Sequence, residues 1–209
     1  GAGGSPGSGG AGGSPGSGVA GGSPGSGEPP GFGSGPVVVL DLCCGTGAVG
    51  AALAAALGGA VDLHASDADP AAVRCARRNL TAPGGPGGHV YQGDLFAPLP
   101  RTLRGRVDVL AANVPYVPTG EIALLPPEAR EHEPRTALDG GADGLDLLRR
   151  VAAEGRAWLA PGGRLLVETS DRQGAEALRV VRAAGLEGSV VHSEEYGATV
   201  LTGRRPDTP

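Results

Sequence analysis

Short apolar runs alternate with helix-like segments from Pro36 onward, and that alternation sets the expected fold. Val37–Leu40 is a continuous apolar run leading into Asp41, the pattern of a central parallel strand buried on both faces. A glycine-containing loop follows, and Ala48–Leu57 reads as an Ala/Leu helix. Val61–Ser66 predicts a second strand, and Pro70–Leu80 a helix with proline in its first turn. Ala82–Gly88 reads as a loop, with strands at His89–Gln92 and Val107–Ala112. From Pro115 to about Gly141 periodicity is weak and prolines recur. Leu145–Leu159 predicts a helix, Pro161-Gly162-Gly163 a turn, Arg164–Glu168 a strand and Ala175–Ala184 a helix. Ser189–His192 and Ala198–Thr202 read as closing strands.

Strands alternating with helices predict right-handed crossovers and a parallel sheet covered on both faces. The two last strands follow one another without a helix, so they predict a closing hairpin. The expected class is α/β, with a mostly parallel seven-stranded sheet and a C-terminal antiparallel hairpin. Upstream, residues 2–28 are three copies of a nine-residue unit: AGGSPGSGG, AGGSPGSGV and AGGSPGSGE. A nine-residue period can mark a β-helix, but this unit has almost nothing apolar to bury. Residues 1–35 are therefore expected to form a flexible linker, residues 36–205 the folded domain, and residues 206–209 a tail. The chain opens at Gly1 with no initiator methionine, which suggests processing or a fragment.

Composition narrows the chemistry. Aromatics are 3% of the chain, so the core is expected to be Val, Leu and Ala. All 17 basic residues are arginine, the net charge is −5, and no basic run exceeds two residues. A large surface for duplex nucleic acid is not expected, so stable nucleic-acid binding is not expected either. Three cysteines, two adjacent, make neither a disulfide framework nor paired metal knuckles. A reducing cytosol is the simplest compartment. No apolar run approaches the roughly 18 residues of a membrane span, and no signal peptide is visible.

The candidate chemistry lies where strands end, the usual place for ligands in such sheets. In Asp41-Leu-Cys-Cys-Gly-Thr-Gly47, Gly45 and Gly47 permit tight turns and close backbone approach. The helix that follows offers open N–H groups suited to a carboxylate. The spacing is neither GxGxxG nor a phosphate loop, and a plain strand-to-helix glycine turn is the alternative. Cys43 and Cys44 fall within this loop and read as small packing residues. Asp67 ends the second strand, where an acid can accept from ribose hydroxyls; a helix-entry cap is the alternative. Asp69, preceding Pro70, reads as the cap itself. Asp94 follows the third strand and could accept from an adenine amino group, with Leu95 packing on the ring; a simple turn is the alternative. Asn113-Val114-Pro115-Tyr116 offers two carbonyl acceptors for an NH2 group and a flat tyrosine face. Pro115 stiffens the turn, and a strand-ending turn is again the alternative. Glu131-His132-Glu133 matches no standard zinc spacing, and no metal is expected. Cys75 lacks an evident His or Asp partner, and His64, His89 and His192 read as structural.

With these residues assembled, the chain resembles the class I methyltransferases, and more narrowly the HemK/PrmC family of protein-(glutamine-N5) methyltransferases, which modify peptide chain release factors. The matching pieces are DLCCGTGAVG (41–50), ASDADP (65–70), QGDLFAPLP (92–100), NVPYVPTGEI (113–122), EHEPRTALDGGADGLDLLRR (131–150) and LAPGGRLLVETS (159–170). The resemblance implies a Rossmann-like fold that binds S-adenosylmethionine through Asp41, Gly45, Thr46, Gly47, Asp67 and Asp94, with Cys43, Leu95 and Asn113 beside them. It implies that Asn113 and the Val114 carbonyl hold the acceptor amide while Tyr116 packs on it. It also implies a protein substrate such as a peptide chain release factor. Val114 stands where the family has proline, Cys43 where many members have glycine, and the family's N-terminal helical domain is absent from this sequence. An adenine-N6 or small-molecule N-methyltransferase, or a cofactor-binding module without activity, are the alternatives.

Overall fold

The computed structural model describes residues 35–58 and 60–207. The repeat and most of the expected linker lie outside them, as do the last two residues of the tail. The described chain runs β1 (Val37–Leu42), α1 (Ala48–Leu57), β2 (Val61–Asp67), α2 (Pro70–Thr81), β3 (Gly88–Gln92) and β4 (Val107–Ala112). It continues through α3 (Pro127–His132), α4 (Arg135–Leu138), α5 (Asp146–Trp158), β5 (Leu159–Thr169), α6 (Gly174–Ala183), β6 (Glu187–Ser193) and β7 (Ala198–Arg204). The seven strands form one sheet in the order β3-β2-β1-β4-β5-β7-β6. Strands β1 to β5 pair in parallel, and β7 is antiparallel to both β5 and β6. No described helix is long and apolar enough to cross a membrane.

Strand β1 shows why the sheet is covered on both faces. Val38, Leu40 and Leu42 point into one core with Leu148, Val151, Ala177 and Val181 of α5 and α6. Val39 points the other way, into a core with Leu63, Ala76 and Leu80, against which Ala51 and Leu53 of α1 pack. Leu40 is fully buried, and burial of such a side chain contributes about 1.5–3 kcal/mol. The successive residues serve different layers, so the run is uniformly apolar.

Two segments differ from the sequence reading. The expected turn at Pro161-Gly162-Gly163 is a bulge within a longer strand: Val107 pairs with Leu159, but Val109 pairs with Arg164. Gly162 takes φ 77°, and a Cβ at Gly163 would meet the Val107 oxygen at 2.6 Å. The irregular stretch after Pro115 holds a 3-10 turn at Thr119–Leu124 and the short helices α3 and α4. These are too brief and too exposed to leave a periodic trace.

Candidate active site

Register places the candidate residues in one row. Leu42 of β1 lies opposite Ser66 of β2 and Ala112 of β4, while Asp67 of β2 lies opposite Gln92 of β3. Cys43, Asp67 and Asn113 therefore leave the sheet side by side, with Gly93 and Asp94 beyond β3. Neighbouring strands are about 4.8 Å apart, so the row is long enough for an extended nucleoside ligand. The chain turns outward to β2 on one side of β1 and to β4 on the other, so the row straddles the point where strand order reverses.

The β1–α1 loop depends on left-handed backbone. Cys43 has φ 53°, Gly45 53° and Gly47 80°. A Cβ at Gly47 would press within 2.9 Å of Leu80 on α2, so glycine is required there twice over. Gly45 faces open space, with nothing within 4 Å of a Cβ position. Cys43 occupies a conformation that glycine adopts freely and other residues rarely do. Burial pushes the Cys43 and Cys44 thiols up to about 12, and the nearby acids push the same way. Both stay protonated and act as packing groups.

Two aspartates organise the loop from beneath. Asp41 is fully buried, and its Oδ2 accepts from the Gly50 N–H at 2.9 Å. Its Oδ1 has no protein partner. Helix α1 has no side-chain cap, so Asp41 takes one of the first-turn donors that would otherwise lack an acceptor. Burial raises its pKa to about 6; the Gly50 N–H opposes that rise and Asp67 adds to it. Asp67 Oδ2 accepts from the Gly45 N–H and Oδ1 from the Asp69 N–H, both at 2.9 Å. Each oxygen keeps a second acceptor position. Asp69 accepts from Ala71 N–H at 2.8 Å and caps α2. Thr46 is exposed, and its carbonyl accepts from Asn79 Nδ2 at 2.9 Å.

Beyond β3 the arrangement is less expected. Asp94 is exposed and pairs with Arg150 of α5 at 2.5 Å. Leu95 has φ 45°, and its side chain is buried in the core with Phe96. Its carbonyl accepts from Ser66 Oγ at 3.0 Å.

The Asn113–Tyr116 segment is held by a second loop. Asn113 is exposed, Val114 and Pro115 are buried, and Tyr116 is half-buried. Val117 N–H donates to Leu138 O at 3.0 Å, and Gly140 N–H donates back to Val117 O at 2.9 Å. Thr119 N–H donates to Gly141 O at 2.8 Å, and its hydroxyl reaches Asp139 Oδ1 at 2.6 Å. The glycines of Leu-Asp-Gly-Gly-Ala-Asp-Gly (138–144) permit this approach. A Cβ at Gly140 would lie 2.7 Å from Pro115 O, and one at Gly144 would lie 2.2 Å from Tyr116 O. Gln173 of the β5–α6 connection completes the clamp by donating to Tyr116 O and Asp143 O. Burial raises the Tyr116 pKa, and Glu168 and Glu133 add to it. Ala112 pairs with Val167, so Glu168, the next residue of β5, comes level with Asn113 just past the end of β4. Arg150, Gln173 and Glu168 were missed in the sequence. The only signal available was the glycine density at 140–144, which marks a close backbone approach.

Among the described residues, no group of three or more His, Cys, Asp or Glu side chains is placed to hold a metal ion. The side chain of His132 lies outside the described set.

Residues 35–124 match the methyltransferase small domain family. The chain is 42% identical over 144 residues to a release factor glutamine methyltransferase of Gloeobacter violaceus, covering 68% of this chain and 49% of the relative. By sequence and fold, this is a HemK/PrmC-like methyltransferase domain. It is also 39% identical to a ribosomal protein uL3 glutamine methyltransferase of Burkholderia pseudomallei, over 77% of this chain and 56% of that relative. A methyltransferase of Pyrococcus furiosus shares the fold, with TM-score 0.60 and 16% identity, covering 82% of this chain and 76% of that structure. The HemK/PrmC-like domain spans about half the length of the curated relatives it matches.

Proposed function

We propose that this domain transfers a methyl group from S-adenosylmethionine to the side-chain amide nitrogen of a glutamine in a protein. The observation that carries the reading is the placement of Asn113. It is exposed at the end of β4, beside the β1–α1 loop, and the chain that follows it is clamped by Gln173 and the 138–144 glycine loop. The cofactor fits the groups available. Gly45 opens onto free space, Asp41 Oδ1 is buried without a partner, and Asp67 keeps acceptor capacity for ribose hydroxyls. Gly47, Thr46 and the uncapped start of α1 suit the carboxylate end of the cofactor. Asp94 stands at the adenine end of the row, where only the backbone of Leu95 is offered because its side chain is buried in the core. When bound, S-adenosylmethionine supplies an electrophilic methyl group.

The protein's contribution is orientation. Asn113 Oδ1 and the Val114 carbonyl accept the two N–H groups of the acceptor amide, which fixes its nitrogen and directs the lone pair toward the methyl carbon. The amide plane packs on Tyr116. With the cofactor bound, the N–C bond would form as the methyl–sulfur bond broke and the neutral thioether left, and one of the protons held by Asn113 and Val114 would pass from the nitrogen to water. No strong base is required, because positioning and exclusion of water lower the barrier.

A release factor is the first acceptor to test, and uL3 the second, since relatives carry both names. The setting we propose is cytoplasmic, with protein rather than nucleic acid as partner. The test is mass spectrometry of each candidate after incubation with the protein and cofactor. N5-methylglutamine in either protein supports the reading, and transfer only to nucleic acid overturns it. Calorimetric cofactor binding without transfer to any acceptor would instead indicate a binding module.

A further inference from the structure

At the other end of the sheet, a cavity of about 490 Å³ is lined by Arg104, Arg156 and Arg205 together with small residues such as Gly105, Ala157 and Ala184. Gly105 precedes β4, Arg156 and Ala157 end α5, and Arg205 follows β7. Strand β4 separates this cavity from Asn113 by roughly 20 Å.

In a chain of net charge −5, this cavity gathers three arginines with no acid among its lining residues. Arg149, Arg150, Arg172, Arg179 and Arg204 each pair with a carboxylate. Among the described residues, none of Arg104, Arg156 and Arg205 does. Yet each is held in place. The Arg104 guanidinium lies 5.1 Å from the centre of the buried Trp158 ring. Arg205 donates to the Leu159 carbonyl. Arg156 passes against Gly185, where a Cβ would sit 3.2 Å from its Nε. That Nε is buried without a hydrogen-bond partner, a costly state for a charged group unless something supplies an acceptor.

We infer that this cavity binds a multiply charged phosphate ligand of the diphosphate or triphosphate class. Three guanidinium groups with no acid between them call for an anion of comparable charge. A single carboxylate would leave most of that charge unbalanced. The planar guanidinium fork matches pairs of phosphate oxygens, and the small residues leave room for a tetrahedral group. The ligand could be free, as pyrophosphate, or carried on a nucleotide.

The experiment is calorimetric titration of the whole protein with pyrophosphate, with ATP and with citrate. Pyrophosphate should bind saturably and weaken as salt rises. ATP binding at equal strength indicates a free phosphate ligand; tighter ATP binding indicates a nucleotide, and both outcomes support the site. Arg156→Gln and Arg104→Gln should each weaken binding about tenfold, while S-adenosylmethionine affinity stays unchanged. Should Arg156→Gln disturb folding, Arg156→Lys keeps the charge, loses the fork and should still weaken binding several-fold. Citrate binding as tightly as pyrophosphate would overturn the phosphate assignment. Absence of saturable binding at millimolar pyrophosphate, or affinity unmoved by the arginine substitutions, would overturn the site itself.

Discussion

The Gln173 side-chain nitrogen donates to the main-chain oxygen of Tyr116 at 2.9 Å and to that of Asp143 at the same distance. Its oxygen accepts from Ser170 Oγ at 2.7 Å. One amide thus ties the proposed substrate segment to the glycine loop and to the end of β5, with both of its N–H donors in use. Gln173→Ala leaves two carbonyls without their donor and should cost about 1–3 kcal/mol of stability. Turnover should fall more than cofactor affinity, because the β1–α1 loop is not involved. Gln173→Glu should be worse than alanine, since a carboxylate would face two carbonyl oxygens as an acceptor only. Chemical denaturation and the split between kcat and KM for cofactor check both. An alanine variant with unchanged kcat would exclude a positioning role.

The glycine loop offers a sharper steric test. Gly144 has φ 78°, and a Cβ there would lie 2.2 Å from Tyr116 O and 2.3 Å from Gln173 Nε2. Gly144→Ala therefore meets both backbone strain and a clash, and should destabilise the protein by about 2 kcal/mol or more. Gly120 has nothing within 4 Å of a Cβ position and no positive φ. Gly120→Ala should be neutral within about 0.5 kcal/mol. Comparable urea midpoints for the two variants would contradict the close approach at Gly144.

Much of this was legible in the chain for identifiable reasons. Strand β1 was readable because both faces of Val37–Leu40 are buried, which forces a continuous apolar run. The α2 cap was readable because Asp69-Pro70 combines two local signals. The row Asp94, Asp67, Cys43 and Asn113 followed from the rule that sites lie where strands end. The Gln173 clamp was not readable, because its target lies 57 residues away and glutamine has no local signature. Arg150 was hidden in the same way, 56 residues from Asp94. Leu95 was expected against an adenine ring, yet its left-handed backbone accompanies a side chain turned into the core. A single residue's φ is not encoded by periodicity. Asp41 lies in an apolar strand as a functional acid would, but only the fold shows it buried beneath Gly50 rather than open to the surface.

Asn113 and Asp67 should separate substrate orientation from cofactor binding. Asn113 is exposed, so Asn113→Ala should lower turnover about a hundredfold or more, through lost orientation, with little change in cofactor affinity. Asp67→Ala removes acceptors for the Gly45 and Asp69 N–H groups as well as those proposed for the ribose. It should weaken cofactor binding about tenfold or more. Calorimetry of S-adenosylmethionine binding to each variant, beside single-turnover rates, gives the comparison. Equal loss of cofactor affinity in both would remove Asn113 from its substrate-orienting role.

Asp41 should make stability depend on pH in a direction opposite to that of a salt-bridged acid. Its carboxyl lies at about 6 in the folded state, against an ordinary value of 3.8. The folded protein therefore holds this proton more tightly than the unfolded chain does. The contribution is favourable at low pH, declines as pH rises from about 4 to about 6, and is flat above that window. The full swing is about 2–3 kcal/mol, because a tenfold difference in proton affinity between the two states is worth about 1.4 kcal/mol. Asp41→Asn keeps an acceptor for Gly50 N–H without the buried charge. Relative to the native protein, the variant should gain stability through that window and then hold the gain. Guanidinium denaturation of both proteins at about pH 4.5 and about pH 7.5 measures the difference. A stability difference that does not change between the two pH values would mean that the buried carboxyl titrates as it does in the unfolded chain.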